Sequence, residues 1–122
     1  MKTMDIAGTK ALLLPADGPL IAVEADGNDV IGEAFSADAK FIVIPVDRLG
    51  PDFLRLETRL AGTILQKFVN YHLRCAIVGD ISAELDASKA LRDFVRETNK
   101  GRAIWFVESL EDVREKLARE AA

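Results

Sequence analysis

Apolar residues in the second half of the chain fall into short unbroken runs separated by longer stretches of mixed character. The runs lie within 41–46, 74–78 and 103–107, and runs of this length are typical of strands that are covered on both faces. The stretches between them are long enough for the helical crossovers that parallel pairing requires. We therefore predict three parallel strands joined by helices.

The first forty residues predict an antiparallel hairpin followed by a short helix. Apolar runs at 11–14 and 20–23 flank a turn-forming Pro-Ala-Asp-Gly-Pro, so we predict strands at 10–14 and 20–24. The loop Ala-Asp-Gly-Asn-Asp follows, with Asn28 or Asp29 as the candidate helix cap. The helix itself is indicated by apolar residues at helical spacing, which are Val30, Ile31, Ala34 and Phe35.

Three further helices are predicted at 53–71, 88–99 and 110–119. The first has the clearest pattern, with an apolar stripe on one side and an opposite polar face made by Arg59, Thr63, Gln66 and Asn70. Asp86 or Ser88 is the candidate cap for the second helix, and the pair Ser109 and Asp112 for the third. The fold class is α/β, in one domain spanning 1–122, with a single mixed sheet that has an N-terminal antiparallel hairpin and C-terminal parallel strands.

Composition and charge narrow the function classes. A chain of 122 residues with 49% hydrophobic residues can bury one core. Its 16 basic residues are interspersed among 20 acidic ones for a net charge of −4, so no basic stripe predicts nucleic-acid binding. No apolar run approaches the roughly 20 residues that would span a bilayer, and the start of the chain lacks the pattern of a signal peptide. We expect a cytoplasmic protein with no membrane or nucleic-acid partner.

Three sequence elements carry a resemblance to a known family. They are Asn-Tyr at 70–71, Val-Gly-Asp at 78–80 and Phe-x-x-Glu-x-Asn-x-Gly at 94–101. With the segments around them they resemble the bacterial family called domain of unknown function 4180, which implies no established activity. The order of elements is more loosely similar to STAS domains of anti-sigma-factor antagonists and sulfate transporters, a likeness of architecture only.

The STAS resemblance implies one regulatory residue. Where those antagonists carry an acidic residue and a phosphorylatable serine or threonine before a helix, this chain has Glu57 and Thr58. Arg59 stands where a small residue would be expected, which departs from the antagonist pattern. A phosphate on Thr58 would lie at a helix N-terminus, which favours anions, and we expect the fold to tolerate it. The alternative is that Thr58 only caps the helix.

The single histidine and single cysteine do not predict a catalytic site. His72 and Cys75 have no second histidine or cysteine with which to close a structural zinc site within one chain. We interpret Cys75 as a small strand residue and His72 as a surface or helix-terminating residue. No catalytic residue, cofactor or metal is assigned from the sequence.

Acidic residues follow each of the three predicted parallel strands. They are Asp47, Asp80 and Glu108, and the carboxyl ends of such strands are where open α/β sheets bind ligands. If they converge, they could hold a hard cation such as magnesium. If they only turn the chain and cap helices, they lie apart.

Two function classes follow from these candidates. The first is a non-catalytic regulatory or protein-interaction module, with Arg59, Thr63, Gln66 and Asn70 as the docking face for a protein partner or for a second copy. The alternative is a small-molecule binder or small enzyme that uses the three acids. Convergence of the acids in one pocket would favour the alternative, and their dispersal would favour the first class.

Overall fold

A computed structural model of the protein describes residues 2–121, which form a five-stranded mixed sheet with helices on both faces. The strands lie side by side in chain order, with β1 antiparallel to β2 and the remaining pairs parallel. The predicted α/β class and the three parallel strands at its C-terminal end are confirmed. The strands are β1 (Lys2–Ile6), β2 (Thr9–Leu13), β3 (Phe41–Pro45), β4 (Arg74–Val78) and β5 (Ile104–Val107).

Within residues 2–121, five α-helices connect and cover the strands: α1 (Glu24–Ser36), α2 (Leu60–Asn70), α3 (Ser82–Ala87), α4 (Lys89–Asn99) and α5 (Leu110–Ala121). Right-handed crossovers between strands in sequential order place successive helices on one face of a sheet. Accordingly, α1, α2 and α4 pack on one face, and α5 returns to cover the other. None of the helices in residues 2–121 is long and apolar enough to cross a membrane.

Alternation along the strands builds two apolar layers. Ile42, Cys75 and Ile77 point towards α1, α2 and α4, whereas Phe41 and Ala76 point towards α5. Phe68 of α2 is fully buried in the first layer, as its position on the apolar stripe predicts. The capping expected for α4 and α5 is confirmed: Ser88 accepts the Leu91 N–H, and Ser109 and Asp112 cap α5 reciprocally.

An N-terminal antiparallel hairpin is present, but only its second strand, β2, matches a predicted one, at 10–14, and its partner β1 precedes it in the chain. β1 and β2 are joined at Ala7 and Gly8, which both have positive φ, as the tightest hairpin turns require. The predicted strand at 20–24 is wrong, since Ile21 forms only an isolated bridge with Leu49. The prolines around 15–19 therefore belong to a loop and not to a hairpin turn.

Two helix starts also differ from the predictions. α1 begins at Glu24 and includes the predicted loop, because the Asp26 carboxylate accepts the backbone N–H groups of Ala22 and Val23 and ends the preceding segment there. These bonds lower the pKa of Asp26, and Asn28 and Asp29 lie within the helix. α2 begins only at Leu60, after a short 3-10 turn at Leu56–Thr58.

The end of α5 is attached to the sheet by a cluster of charges. Glu120 accepts two hydrogen bonds from the guanidinium of Arg74, at 3.0 and 2.8 Å, and two from Arg102 at 3.2 Å. The Arg74 guanidinium also stacks 4.9 Å from the ring centre of Trp105, which is buried beneath α5. Hydrogen bonds from Arg102 and Arg74 lower the pKa of Glu120 to about 2.

Candidate functional site

The three predicted acids all lie at the carboxyl edge of the sheet, but only two of them share a cavity. Asp80 and Glu108 line a cavity of about 230 Å³ beyond the ends of β4 and β5. Asp47 is exposed in the 3-10 turn Val46–Arg48 and is not among the residues that line it. Across residues 2–121, no group of three or more histidine, cysteine or acidic side chains is arranged to hold a metal ion.

Asp80 is fixed in place by its neighbours in sequence. Its carboxylate accepts the Ser82 backbone N–H at 2.8 Å at the start of α3. The Ser82 hydroxyl and this N–H lower the pKa of Asp80, so the group is ionised at neutral pH and serves the turn. The turn depends on Gly79, whose φ is 143° and where a Cβ atom would lie 2.3 Å from a Val46 methyl group.

Asn99, part of the Phe-x-x-Glu-x-Asn-x-Gly element, borders the same cavity. Its side-chain amide donates to the Phe106 carbonyl and accepts the Phe106 N–H, at 3.1 and 2.7 Å. This pair of bonds satisfies backbone groups on the outer edge of β5 in place of a further strand. Asn99 is therefore a structural residue of the cavity wall.

The polar face of α2 is exposed along its whole length. Arg59, Thr63, Gln66 and Asn70 all lie on the solvent side, and the Gln66 amide donates to the Asn70 side-chain oxygen at 2.9 Å. Val69, at one edge of this face, is 38% exposed. Arg59 is the one charged residue among these four, and Lys67 at the edge of the face forms an ion pair with Glu24 of α1 at 2.7 Å.

An exposed aromatic pair lies beside that face and was missed by the sequence reasoning. Phe35 of α1 and Tyr71, directly after α2, meet edge to face with their ring centres 5.7 Å apart. They are 50% and 53% exposed. Helical spacing predicted Phe35 to be buried with Val30 and Ile31, but it is half exposed and packs against Tyr71.

Thr58 lies immediately before α2 and is exposed. Its hydroxyl lies 2.8 Å from the backbone oxygens of both Asp52 and Arg55, and its oxygen accepts the Leu60 N–H at 3.3 Å. The hydroxyl thus closes the 52–58 loop against the start of the helix. A phosphate on this oxygen would remove the donated hydrogen bond and place anionic oxygens beside two carbonyls.

His72 and Cys75 occupy very different surroundings. His72 is exposed, with a φ of 60°, in the turn between α2 and β4. Cys75 is fully buried in β4, and burial raises the pKa of its thiol well above the ordinary range. A thiol in this state is not a nucleophile at neutral pH.

A cavity of about 660 Å³ lies where β2, β3 and β4 end. Its apolar wall includes Leu13, Val43, Val78 and Leu110, and a buried arginine, Arg48, also lines it. The sequence reasoning missed Arg48, because a lone arginine next to an aspartate looks like an ordinary surface residue. Only the proline-rich loop at 15–19, which contacts Arg48 in the structure, could have indicated a special role for this arginine.

The fold is that of a small α/β protein built on one mixed sheet. The chain belongs to the family described as Domain of unknown function (DUF4180), whose model matches residues 6–117. This confirms the family resemblance of the sequence. Neither a search of curated proteins nor a search of solved structures gave a significant match.

Proposed function

We propose that this protein is a non-catalytic regulatory module that acts by binding another protein. The proposed contact is the α2 surface, defined as Arg59, Thr63, Gln66, Val69 and Asn70 together with Phe35 and Tyr71. The observation that carries the proposal is the aromatic pair, because two half-exposed rings beside a polar helix face match the enrichment of aromatic residues in protein interfaces.

A glycine on the α2 surface supports the same proposal. Gly62 is exposed in the first turns of α2, and a Cβ atom placed there would meet no atom within 4 Å. Glycine inside a helix costs about 0.5–1 kcal/mol relative to alanine, and no contact within residues 2–121 offsets that cost. A partner that packs closely against Gly62 would offset this cost.

The arrangement of the acids at the strand ends also supports an interaction module. Only Asp80 and Glu108 share a cavity, and the Asp80 carboxylate is occupied by the turn at Ser82. Because Asp47 lies outside that cavity, the three acids do not converge in one pocket, which favours an interaction module over a site that holds a cation.

The test is photo-crosslinking from the α2 surface in cells. A benzoylphenylalanine at Gln66 should capture a defined protein, whereas the same group at Glu115, exposed on α5 across the sheet, should not. The captured protein is then purified and its affinity measured directly. Tyr71→Ser should weaken binding at least about tenfold, since aromatic residues are the usual energetic centres of interfaces.

Controls separate contact from folding. Leu20→Ser removes a side chain that is 50% exposed elsewhere on the protein and should leave affinity unchanged. Gly62→Arg should block binding while the far-ultraviolet circular dichroism stays native. Equal capture from both positions, or unchanged affinity in Tyr71→Ser and Gly62→Arg, would overturn the proposal.

Small-molecule binding at the acid-lined cavity is the second candidate function. It is supported by the presence of Asp80 and Glu108 around one opening of about 230 Å³ at the strand ends. A rise in melting temperature with added Mg²⁺ that is lost in Glu108→Gln would favour it. No rise at millimolar Mg²⁺ would count against a cation-dependent site.

A further inference from the structure

The buried guanidinium of Arg48 has no acidic partner within residues 2–121. Arg48 is only 6% exposed, yet no carboxylate of residues 2–121 lies within ion-pair distance of its guanidinium. Burying a charge is costly unless an opposite charge or several hydrogen bonds compensate. Arg48 is therefore a cation that the described chain leaves electrically unbalanced.

Part of the guanidinium is used to hold a loop. Its Nε donates to the Pro19 carbonyl and its Nη1 to the Pro15 carbonyl, the latter at 3.0 Å. The loop passes so close that a Cβ atom on Gly18 would lie 2.5 Å from Nη1. Backbone bonds from Ile21 to the Arg48 carbonyl and from Gly50 to the Ile21 carbonyl fasten the end of the same loop.

The remaining amino group, Nη2, makes none of the hydrogen bonds within residues 2–121. Because no side-chain nitrogen or oxygen there is both fully buried and unpaired, Nη2 must be reachable from outside the packed core. Arg48 is one of the residues that line the cavity of about 660 Å³. The accessible donor Nη2 therefore belongs to a residue of the cavity wall.

The rest of that cavity is mostly hydrocarbon. Leucine, valine and proline side chains form most of its wall, and its volume lies in the range of small-molecule sites. Lys2 and Glu33 are the other charged residues that border the cavity, and their opposite charges cancel. Arg48 therefore determines the charge of the preferred ligand. Its position beyond the carboxyl ends of β2, β3 and β4 is the usual ligand position in open α/β sheets.

We propose that this cavity binds a small monoanionic amphipath, namely a carboxylate with an apolar chain, whose head group contacts Arg48. The carboxylate balances the buried guanidinium through Nη2, and the chain covers Leu13, Val43, Val78 and Leu110. This site is separate from the α2 surface, so ligand binding here can be confirmed or refuted independently of the proposed protein contact.

The experiment compares octanoate with 1-octanol, which has the same chain without the charge. Isothermal titration calorimetry on the full chain should give saturable octanoate binding with one site, at least about tenfold tighter than octanol. Octylammonium should not bind. Hexanoate should bind more weakly than octanoate because it covers less of the apolar wall.

Two variants and one matched control locate the site. Arg48→Met keeps the volume of the side chain and should abolish the preference of octanoate over octanol. Val78→Phe fills the cavity without touching the guanidinium and should weaken octanoate and octanol alike. Arg92→Met removes another arginine that anchors a loop through two carbonyls, those of Leu85 and Asp86, but lies outside the cavity, and it should change nothing.

Three results would each overturn the proposal. The first is octanol binding as tightly as octanoate, and the second is octanoate binding unchanged in both Arg48→Met and Val78→Phe. The third is no saturable binding of octanoate below about 1 mM, the weakest affinity at which the site would be specific. If Arg48→Met fails to fold, the Val78→Phe arm and the octanol comparison decide the question.

Discussion

Replacement of Glu120 by glutamine tests how strongly one carboxylate holds α5 on the sheet. Glutamine keeps the size of the side chain but removes the charge that Arg74 and Arg102 share. A pKa lowered from 4.5 to about 2 would correspond to about 3 kcal/mol if the group were shielded from water. The Glu120 side chain is 24% exposed and that of Arg102 is 76% exposed, so solvent screening reduces the expected loss to about 1 kcal/mol.

The pH dependence of this loss has a definite direction. Because folding lowers the pKa of Glu120, its contribution is fully present above about pH 4.5 and disappears as the pH falls towards 2. The stability difference between the native protein and Glu120→Gln should therefore be about 1 kcal/mol at pH 7 and shrink steadily below pH 4.5.

The assay is urea unfolding followed by the fluorescence of Trp105, the only tryptophan, which lies under α5. Glu115→Gln is the matched control, since Glu115 is exposed on the same helix and its side chain forms no ion pair in residues 2–121. Equal stability of Glu120→Gln and the native protein at pH 7, or a difference that does not change between pH 7 and pH 3, would refute the reasoning.

Three further predictions concern single residues elsewhere. Gly79→Ala should destabilise the protein by about 2 kcal/mol or more in urea unfolding, because its Cβ atom meets Val46 in a backbone conformation that alanine rarely adopts; a loss below about 0.5 kcal/mol would contradict this. Cys75 should react with a thiol reagent only after unfolding, so prompt labelling of the folded protein would show that β4 opens. Thr58→Val and Thr58→Glu should each cost about 1 kcal/mol through the lost hydrogen bonds, and only Thr58→Glu should alter partner affinity if phosphorylation is regulatory.

Much of the fold could be read from the sequence because its signals are local. The runs around Ile42 and Ala76 are apolar at every position, and strands covered on both faces need such runs. The α5 cap also depends only on Ser109 and Asp112, three residues apart. Features of this kind need no knowledge of distant partners.

The errors arose where tertiary contacts outweigh local preference. Gly27 weakens a helix by itself, but in α1 it allows close packing, since a Cβ atom there would lie 3.0 Å from Ile64 of α2. The loop at 15–19 resembles a hairpin turn in sequence, and it is Arg48, 29 residues beyond Pro19, that holds it in another shape. Neither partner is visible in a local window.

The candidate sites also differ in whether they depend on local sequence or on tertiary contacts. The exposure of Arg59, Thr63, Gln66 and Asn70 follows from helical periodicity, so that face could be predicted. The aromatic pair depends on how α1 and α2 meet, and the cavity at Arg48 depends on three strand ends and a loop. Both require the assembled fold.

Hydroxyl-radical footprinting of the purified complex with the crosslinked partner tests the proposed protein contact most directly. Phe35 and Tyr71 are half exposed in the free protein, and Leu20, at 50% exposure, is the internal reference outside the α2 surface. The proposal predicts that oxidation of Phe35 and Tyr71 falls several-fold in the complex while oxidation of Leu20 is unchanged. Unchanged oxidation of both aromatic residues in a complex that has formed would contradict it.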